Sequence, residues 1–277
     1  MEIILSGFAD EAGGTIEEQM DVFEANGIRY IEMRWIGSQH VLDLTDEEIK
    51  ALKAKLDARG FRVSAIGSPV GKSQITEDFS ADLAMYRRAV AAAAILDCRY
   101  IRAFSFFLPE GANRAEHREE VAARLRTMVK LAEENGLVFA LENESGIYTD
   151  KIDSCLEMLE EMSSKSFRLA FDPGNFVHNE TRPLEAYNAL KNYIAYFHIK
   201  DGIAGEEHFV ACGEGEADMA ALLGVAYRDG FDSFLSIEPH LGYLKDLSKA
   251  QQFTKAANAL KLTLNQALGT AYEPVVL

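Results

Sequence analysis

The sequence predicts one α/β domain, residues 1–277, folded as a closed (β/α)₈ TIM barrel. Three observations predict it. Eight short runs rich in β-branched or aromatic residues alternate with longer helical patterns, the runs begin about 26 to 39 residues apart, and no Gly/Ser-rich linker, charge block or low-complexity stretch divides the chain. A length of 277 residues with 48% hydrophobic content also suits one large core of this kind.

The strand runs lie near 3–8, 29–34, 62–67, 99–105, 137–142, 167–172, 194–200 and 233–238. Between them the helices carry start and stop signals. Thr15 with Glu18 and Thr45 with Glu48 have capping-box spacing, and Ser80, Asp218 and Ser248 are further N-cap candidates. Gly27, Gly60, Gly136 and Gly230 stand where a last helical turn must bend into a left-handed residue. An open, doubly wound sheet is the structural rival. Its usual nucleotide signature is missing, because GFADEAGG at 7–14 lacks GxGxxG spacing.

Four strand ends carry the same kind of chemistry. FALENE, RLAFDPGN, AYFHIKD and LSIEPH place Glu142, Asp172, His198 and Glu238 at the C-terminal ends of the last four strands, the face on which such barrels build their sites. Two residues earlier stand Ala140, Ala170 and Ser236, small groups suited to a crowded barrel interior, while Tyr196 beneath His198 breaks the pattern. Three carboxylates and an imidazole suit one divalent ion such as Mn²⁺, Co²⁺, Mg²⁺ or Zn²⁺, and a cation removes the repulsion among the acids. The bland alternative is that each acid caps a helix or pairs with a cation such as Lys200.

Composition narrows the partners. With 44 acidic against 28 basic residues the formal charge is −16, which disfavours nucleic acid and anionic membrane surfaces unless basic groups cluster, and no run of them occurs in the sequence. Cys98, Cys155 and Cys212 are far apart, without CxxC spacing or an even count, so a reducing cytoplasm is the expected location. MEIILSGFADE lacks the features of a signal peptide, and no apolar run reaches membrane-spanning length.

In the order and spacing of FADE, IEMRW, SAIGSPVGK, IRAFSF, LENESG, FDPGNF, HIKD, CGEGEAD and SIEPH, the chain resembles the xylose isomerase-like barrels, and within them the sugar phosphate isomerase/epimerase group. The resemblance implies one divalent metal held by Glu142, Asp172, His198 and Glu238, with Glu142 and Glu238 doubling as acid and base. It implies a small carbohydrate substrate. Such a site supports proton abstraction beside a carbonyl, with the metal stabilising an enediolate. Return of the proton to the opposite face gives an epimer, and return to the adjacent carbon gives an aldose–ketose isomer. Dehydration by β-elimination of a keto-sugar or inosose stays open.

Arg34, Lys72 and Arg102, near the ends of strands two to four, are candidates for holding substrate hydroxyls or an anionic group, with Glu144, Asn175, Lys200, His208 and His240 as further substrate contacts. Each has a plainer reading: Arg102 as the partner of Glu32, Lys72 as a solvated loop lysine, His208 as a surface histidine, and Glu214 in CGEGEAD as part of a turn. The tagatose-type ketose 3-epimerases resembled here carry a histidine three residues after the strand-six aspartate and an arginine six after the strand-seven histidine. This chain has Asn175 and Ala204 there, which puts free-ketose 3-epimerisation in doubt. Apurinic-site endonucleases of the same superfamily need additional zinc-binding histidines that SAIGSP and IRAFSF lack. A non-catalytic sugar-binding barrel is the other alternative; its metal would be structural, and such sites favour Cys and His over carboxylates. The helix SKAQQFTKAANALKLTLNQALG and the tail AYEPVVL are expected either to pack within the chain or to form a homodimer.

Overall fold

The computed structural model describes residues 3–273 and 275. Eight parallel strands, numbered here in chain order, wind into one barrel: β1 Ile4–Gly7, β2 Tyr30–Met33, β3 Arg62–Gly67, β4 Tyr100–Ala103, β5 Val138–Glu142, β6 Phe167–Phe171, β7 Ile194–Ile199 and β8 Phe234–Ile237. Their order is 1-8-7-6-5-4-3-2, which excludes the open doubly wound sheet. Seven ladders run round the wall; the eighth junction, between β1 and β2, is closed by a single bridge between Phe8 and Glu32.

Helices α1 Ile16–Ala25, α2 Asp46–Ala58, α3 Ser80–Leu96, α4 Arg114–Glu134, α5 Ile152–Met162, α6 Pro173–His178, α7 Pro183–Leu190, α8 Met219–Arg228 and α9 Lys249–Leu268 surround it. Thr15, Thr45 and Ser248 all close reciprocal capping boxes, each of a kind worth ~1 kcal/mol. Two expected caps differ. Ser80 is the first helical residue rather than the cap, and its N–H and hydroxyl both donate to Asp78. Asp218 caps α8 from a left-handed conformation without a side-chain bond.

The main apolar core fills the layer between strands and helices, while a second cluster of Ala65, Ala140, Ala170, Ala195 and Tyr196 occupies the barrel interior. Small side chains there leave height for long polar groups above them. Helix α9 packs within its own chain, with Phe253 stacked on Phe23 of α1 at 4.6 Å. The tail follows α9, the N–H groups of Tyr272 and Val275 each donating at 2.8 Å to Asn265 and Asn258. Met1, Glu2, Pro274, Val276 and Leu277 lie outside the described residues. No described helix is long and apolar enough to cross a membrane.

Candidate metal centre

Strand ends β5 to β8 deliver Glu142, Asp172, His198 and Glu238 to one buried point, with one ligand atom from each within 4.8 Å of all the others. From Nδ1 of His198 the nearest oxygens of Glu142, Asp172 and Glu238 lie at 3.2, 3.8 and 3.8 Å. Asp172 unites the two readings open to it. One carboxylate oxygen accepts the Asn175 N–H at 2.9 Å and caps α6, while the other faces the cluster. Asn143 fixes this corner by clasping the backbone of Asp172, donating to its carbonyl at 2.8 Å and accepting its N–H at 2.9 Å.

Beneath the cluster, Glu32 on β2 anchors His198. Its carboxylate lies 3.2 Å from Nε2 of His198 and accepts the hydroxyls of Tyr196 at 2.9 Å and Ser236 at 2.6 Å. A carboxylate on one ring nitrogen fixes the proton there and leaves the other nitrogen free for a metal. Around the rim, cations hold the acids. Arg102 lies 3.3 Å from Glu142, so its partner is not Glu32. Lys200 contacts Asp172 at 3.0 Å and Glu238 at 2.8 Å; Arg34 and His240 reach the other oxygen of Glu238 at 3.4 and 3.2 Å.

The electrostatics follow from burial and neighbours together. Burial opposes ionisation of Glu142, but His198 and Arg102 outweigh it and hold the carboxyl down at about 2. At Asp172 burial prevails against Lys200, pushing the carboxyl up to about 7. Burial likewise works against charge on Glu238, His198 and Lys200, yet each is held in its charged form: Glu238 by Lys200 and His240, His198 by Glu142 and Glu32, Lys200 by Asp172 and Glu238.

The donor set fits a divalent ion. His198 Nδ1, Glu142 Oε2 and Asp172 Oδ2 are buried and make no well-formed hydrogen bond; they have only ion-pair contacts, Glu142 Oε2 with Arg102 at 3.3 Å, Asp172 Oδ2 with Lys200 at 3.0 Å and His198 Nδ1 with Glu142 at 3.2 Å. A coordinated cation satisfies all three. Zinc, magnesium and manganese all accept carboxylate oxygen and imidazole nitrogen, so the residues do not select among them.

Of the residues expected to touch substrate, Arg34, Arg102, Asn175, Lys200 and His240 all contact a ligand-set carboxylate, Asn175 donating to Glu142 at 3.2 Å. Lys72 and Glu144 instead pair with each other at 2.9 Å. His208 is half-buried on the rim, its ring 4.4 Å from that of Tyr243. Glu214 turns outward to Lys255. The sequence weighs Glu32 only as a partner of Arg102 and does not single out Asn143, Asp201, or the Asp10 and Glu11 that pair with Arg34 at 2.9 and 3.1 Å. For Glu32 there was a signal: it shares strand parity with Arg34, so it faces the barrel interior. Asp201 organises the roof, accepting N–H bonds from Gly202, Gly213, Gly215 and Ala217 at 2.9 to 3.2 Å. That anchors the 203–217 loop, whose Phe209 ring covers Lys200 at 4.4 Å.

A family model described as xylose isomerase-like TIM barrel matches residues 20–262. A 3-dehydroshikimate dehydratase of Bacillus anthracis is 21% identical over 180 residues, covering 64% of this chain; the match spans 62% of the relative's length. Among solved structures, IOLI protein with a bound zinc atom superposes with TM-score 0.81 at 15% identity, covering 98% of this chain and 100% of the other. A D-tagatose 3-epimerase-like protein superposes with TM-score 0.77 at 20% identity, covering 96% and 98%. At these identities the structural likeness is one of fold.

Proposed function

The chain belongs to the xylose isomerase-like TIM barrel family, and from that premise we propose that it is a divalent-metal-dependent isomerase or epimerase of a sugar or sugar derivative. The observation that carries the reading is the buried convergence of Glu142, Asp172, His198 and Glu238, with three of their polar atoms making no well-formed hydrogen bond. A carboxylate-rich group ringed by Arg34, Arg102, Lys200 and His240 is suited to binding a polyhydroxy carbonyl compound.

When bound, the ion supplies Lewis-acid stabilisation of negative charge growing on a carbonyl oxygen, typically several kcal/mol. The chain's own residues do the rest. Glu142 and Glu238 are held ionised at neutral pH, so either can take a proton from the carbon beside the carbonyl and the other, once protonated, can return one. Arg102 holds Glu142 from one side, while Lys200, Arg34 and His240 hold Glu238 from the other. Asn175 offers an amide to a hydroxyl, with its Oδ1 buried and partnerless. The 203–217 loop limits water above Lys200.

A second reading, a metal-dependent dehydratase that eliminates water from a keto-sugar or inosose, is favoured by Lys200. Its buried ammonium, 2.8 Å from Glu238, is placed to donate to a departing hydroxyl, and the curated relative is itself called a dehydratase. The test is metal content of wild type and Glu238→Gln, followed by solvent-deuterium exchange into a panel of ketoses and inososes. About one ion per chain and exchange that is lost in the variant support enolisation, and an accompanying enone absorbance selects the dehydratase. A wild type that neither holds nor takes up a divalent ion sinks both readings.

A further inference from the structure

The opposite, N-terminal face of the barrel contains a cavity of about 650 Å³, with Arg99, Lys165, Arg168 and Lys191 in its wall and Asp229 and Asp232 as its acids. No basic run in the sequence announces it, because the four cations come from the starts of three different strands. Arg99 precedes β4, Lys165 precedes β6, Arg168 lies in β6 and Lys191 stands just before β7. Strand parity puts Arg168 on the same face as Ala170, whose methyl belongs to the barrel-interior cluster. The alanines Ala140, Ala170 and Ala195 leave open the space that larger side chains would fill.

Charge balance at this cavity runs against the rest of the molecule. Four cations against two aspartates leave the lining at +2 in a chain of net charge −16. Lys191 is paired with Asp229 at 2.8 Å, but Arg99, Lys165 and Arg168 make no salt bridge among the described residues. Arg168 has only a 3.4 Å bond to the carbonyl of Asn192, and Arg99 lies 6.0 Å from the Tyr100 ring. In so acidic a chain a cation ordinarily finds a carboxylate; gathering three without one incurs mutual repulsion that a bound anion relieves.

We propose that this cavity is a binding site for a small organic anion carrying a phosphate ester or two or more carboxylates, separate from the metal centre. The two guanidinium forks suit bidentate contact with either group, Lys165 adds a mobile point charge, and Tyr100 offers a ring against the carbon skeleton. The volume lies within the ~300–1,000 Å³ range of small-ligand sites. A lining charge of +2 on a strongly acidic chain is too small to hold a nucleic-acid backbone.

The test is calorimetric titration of the full chain with inorganic pyrophosphate, glucose 6-phosphate and citrate at low and moderate salt. Wild type is compared with Arg168→Ala, the more exposed Arg99→Ala, and Glu238→Gln at the other end of the barrel. The expected result is one site per chain that weakens with salt, loses about tenfold or more in affinity in both arginine variants and is unchanged in Glu238→Gln. Preference for glucose 6-phosphate over citrate identifies a phosphate-ester site, and the reverse a polycarboxylate site. If Arg168→Ala fails to fold by circular dichroism, Arg99→Ala decides. No heat with any probe up to about 10 mM, or binding that disappears in Glu238→Gln but survives Arg99→Ala, overturns the proposal.

Discussion

Glu32 holds the imidazole of His198 by Nε2 at 3.2 Å, from the far side of the ring to Glu142, Asp172 and Glu238. With the proton kept on Nε2, an ion that displaces the second proton would find Nδ1 as the lone-pair nitrogen facing the acids. Glu32→Gln should therefore keep the fold and the four ligands yet weaken divalent-ion affinity by roughly 10- to 100-fold. Competition with a fluorescent chelator measures this directly. Unchanged affinity would show that Glu32 does not orient His198.

The two glutamates are expected to be separable from their neighbours by exchange kinetics. Glu142→Gln and Glu238→Gln should each slow solvent-deuterium incorporation into substrate by about 10²- to 10⁴-fold, the usual worth of a positioned acid or base. Lys200→Met removes the cation that Asp172 and Glu238 share, and should hinder turnover more than it hinders ion binding. Full exchange activity in Glu142→Gln would remove that residue from the proton-transfer pair.

Asp201 receives four backbone N–H groups, and Gly215 packs directly on its carboxylate, where a Cβ would collide. Asp201→Ala leaves those donors without a common acceptor, a loss of about 3 kcal/mol or more at a few charge-assisted bonds. Limited proteolysis should then cut within 203–217 well before the rest of the chain, while wild type resists. Equal cleavage rates would mean that the loop is held by something else.

The three cysteines set an alkaline limit on stability. Burial pushes the thiols of Cys98 and Cys212 up to about 12 and that of Cys155 higher still, each from an ordinary 9.0. The unfolded chain releases these protons first, so the stabilisation is complete below the unfolded value and is lost as pH rises from about 9 towards 12, at ~1.4 kcal/mol per pH unit for each thiol. Denaturant midpoints should fall across that window, less steeply in Cys155→Ala once its packing loss is subtracted. Native protein at pH 8 should show no rapid thiol reaction with an aromatic disulfide reagent.

Much of this architecture was legible in the chain. Runs such as RVSAIG and LVFALE mark strands because β-branched and aromatic residues recur between capped helices, and the ends of four of them name the residues that the structure gathers at one buried point. What lay across the barrel was not legible. Arg102 and Glu32 share an interior, but registers differ from strand to strand, and a ladder shift between Ile31 and Glu32 moves Glu32 beneath His198 while Arg102 rises to Glu142. The roof was hidden for a similar reason: Asp201 acts through backbone N–H groups as far as residue 217, and any residue type supplies those. The cations of the lower cavity, spread from residue 99 to residue 191, escape a reading that looks for local runs.

The junction of β1 and β2 gives the barrel a preferred place to breathe. Seven joints are stitched by ladders of three or more residue pairs, but this one is buttoned once, at Phe8 and Glu32. Amides bordering that gap are the ones that should take up deuterium from solvent earliest. The same Glu32 pairs with Phe8 through its backbone and holds His198 through its carboxylate, so the seam and the candidate metal centre share one residue. An ion bound at the centre should therefore slow exchange at this seam relative to the ion-free protein.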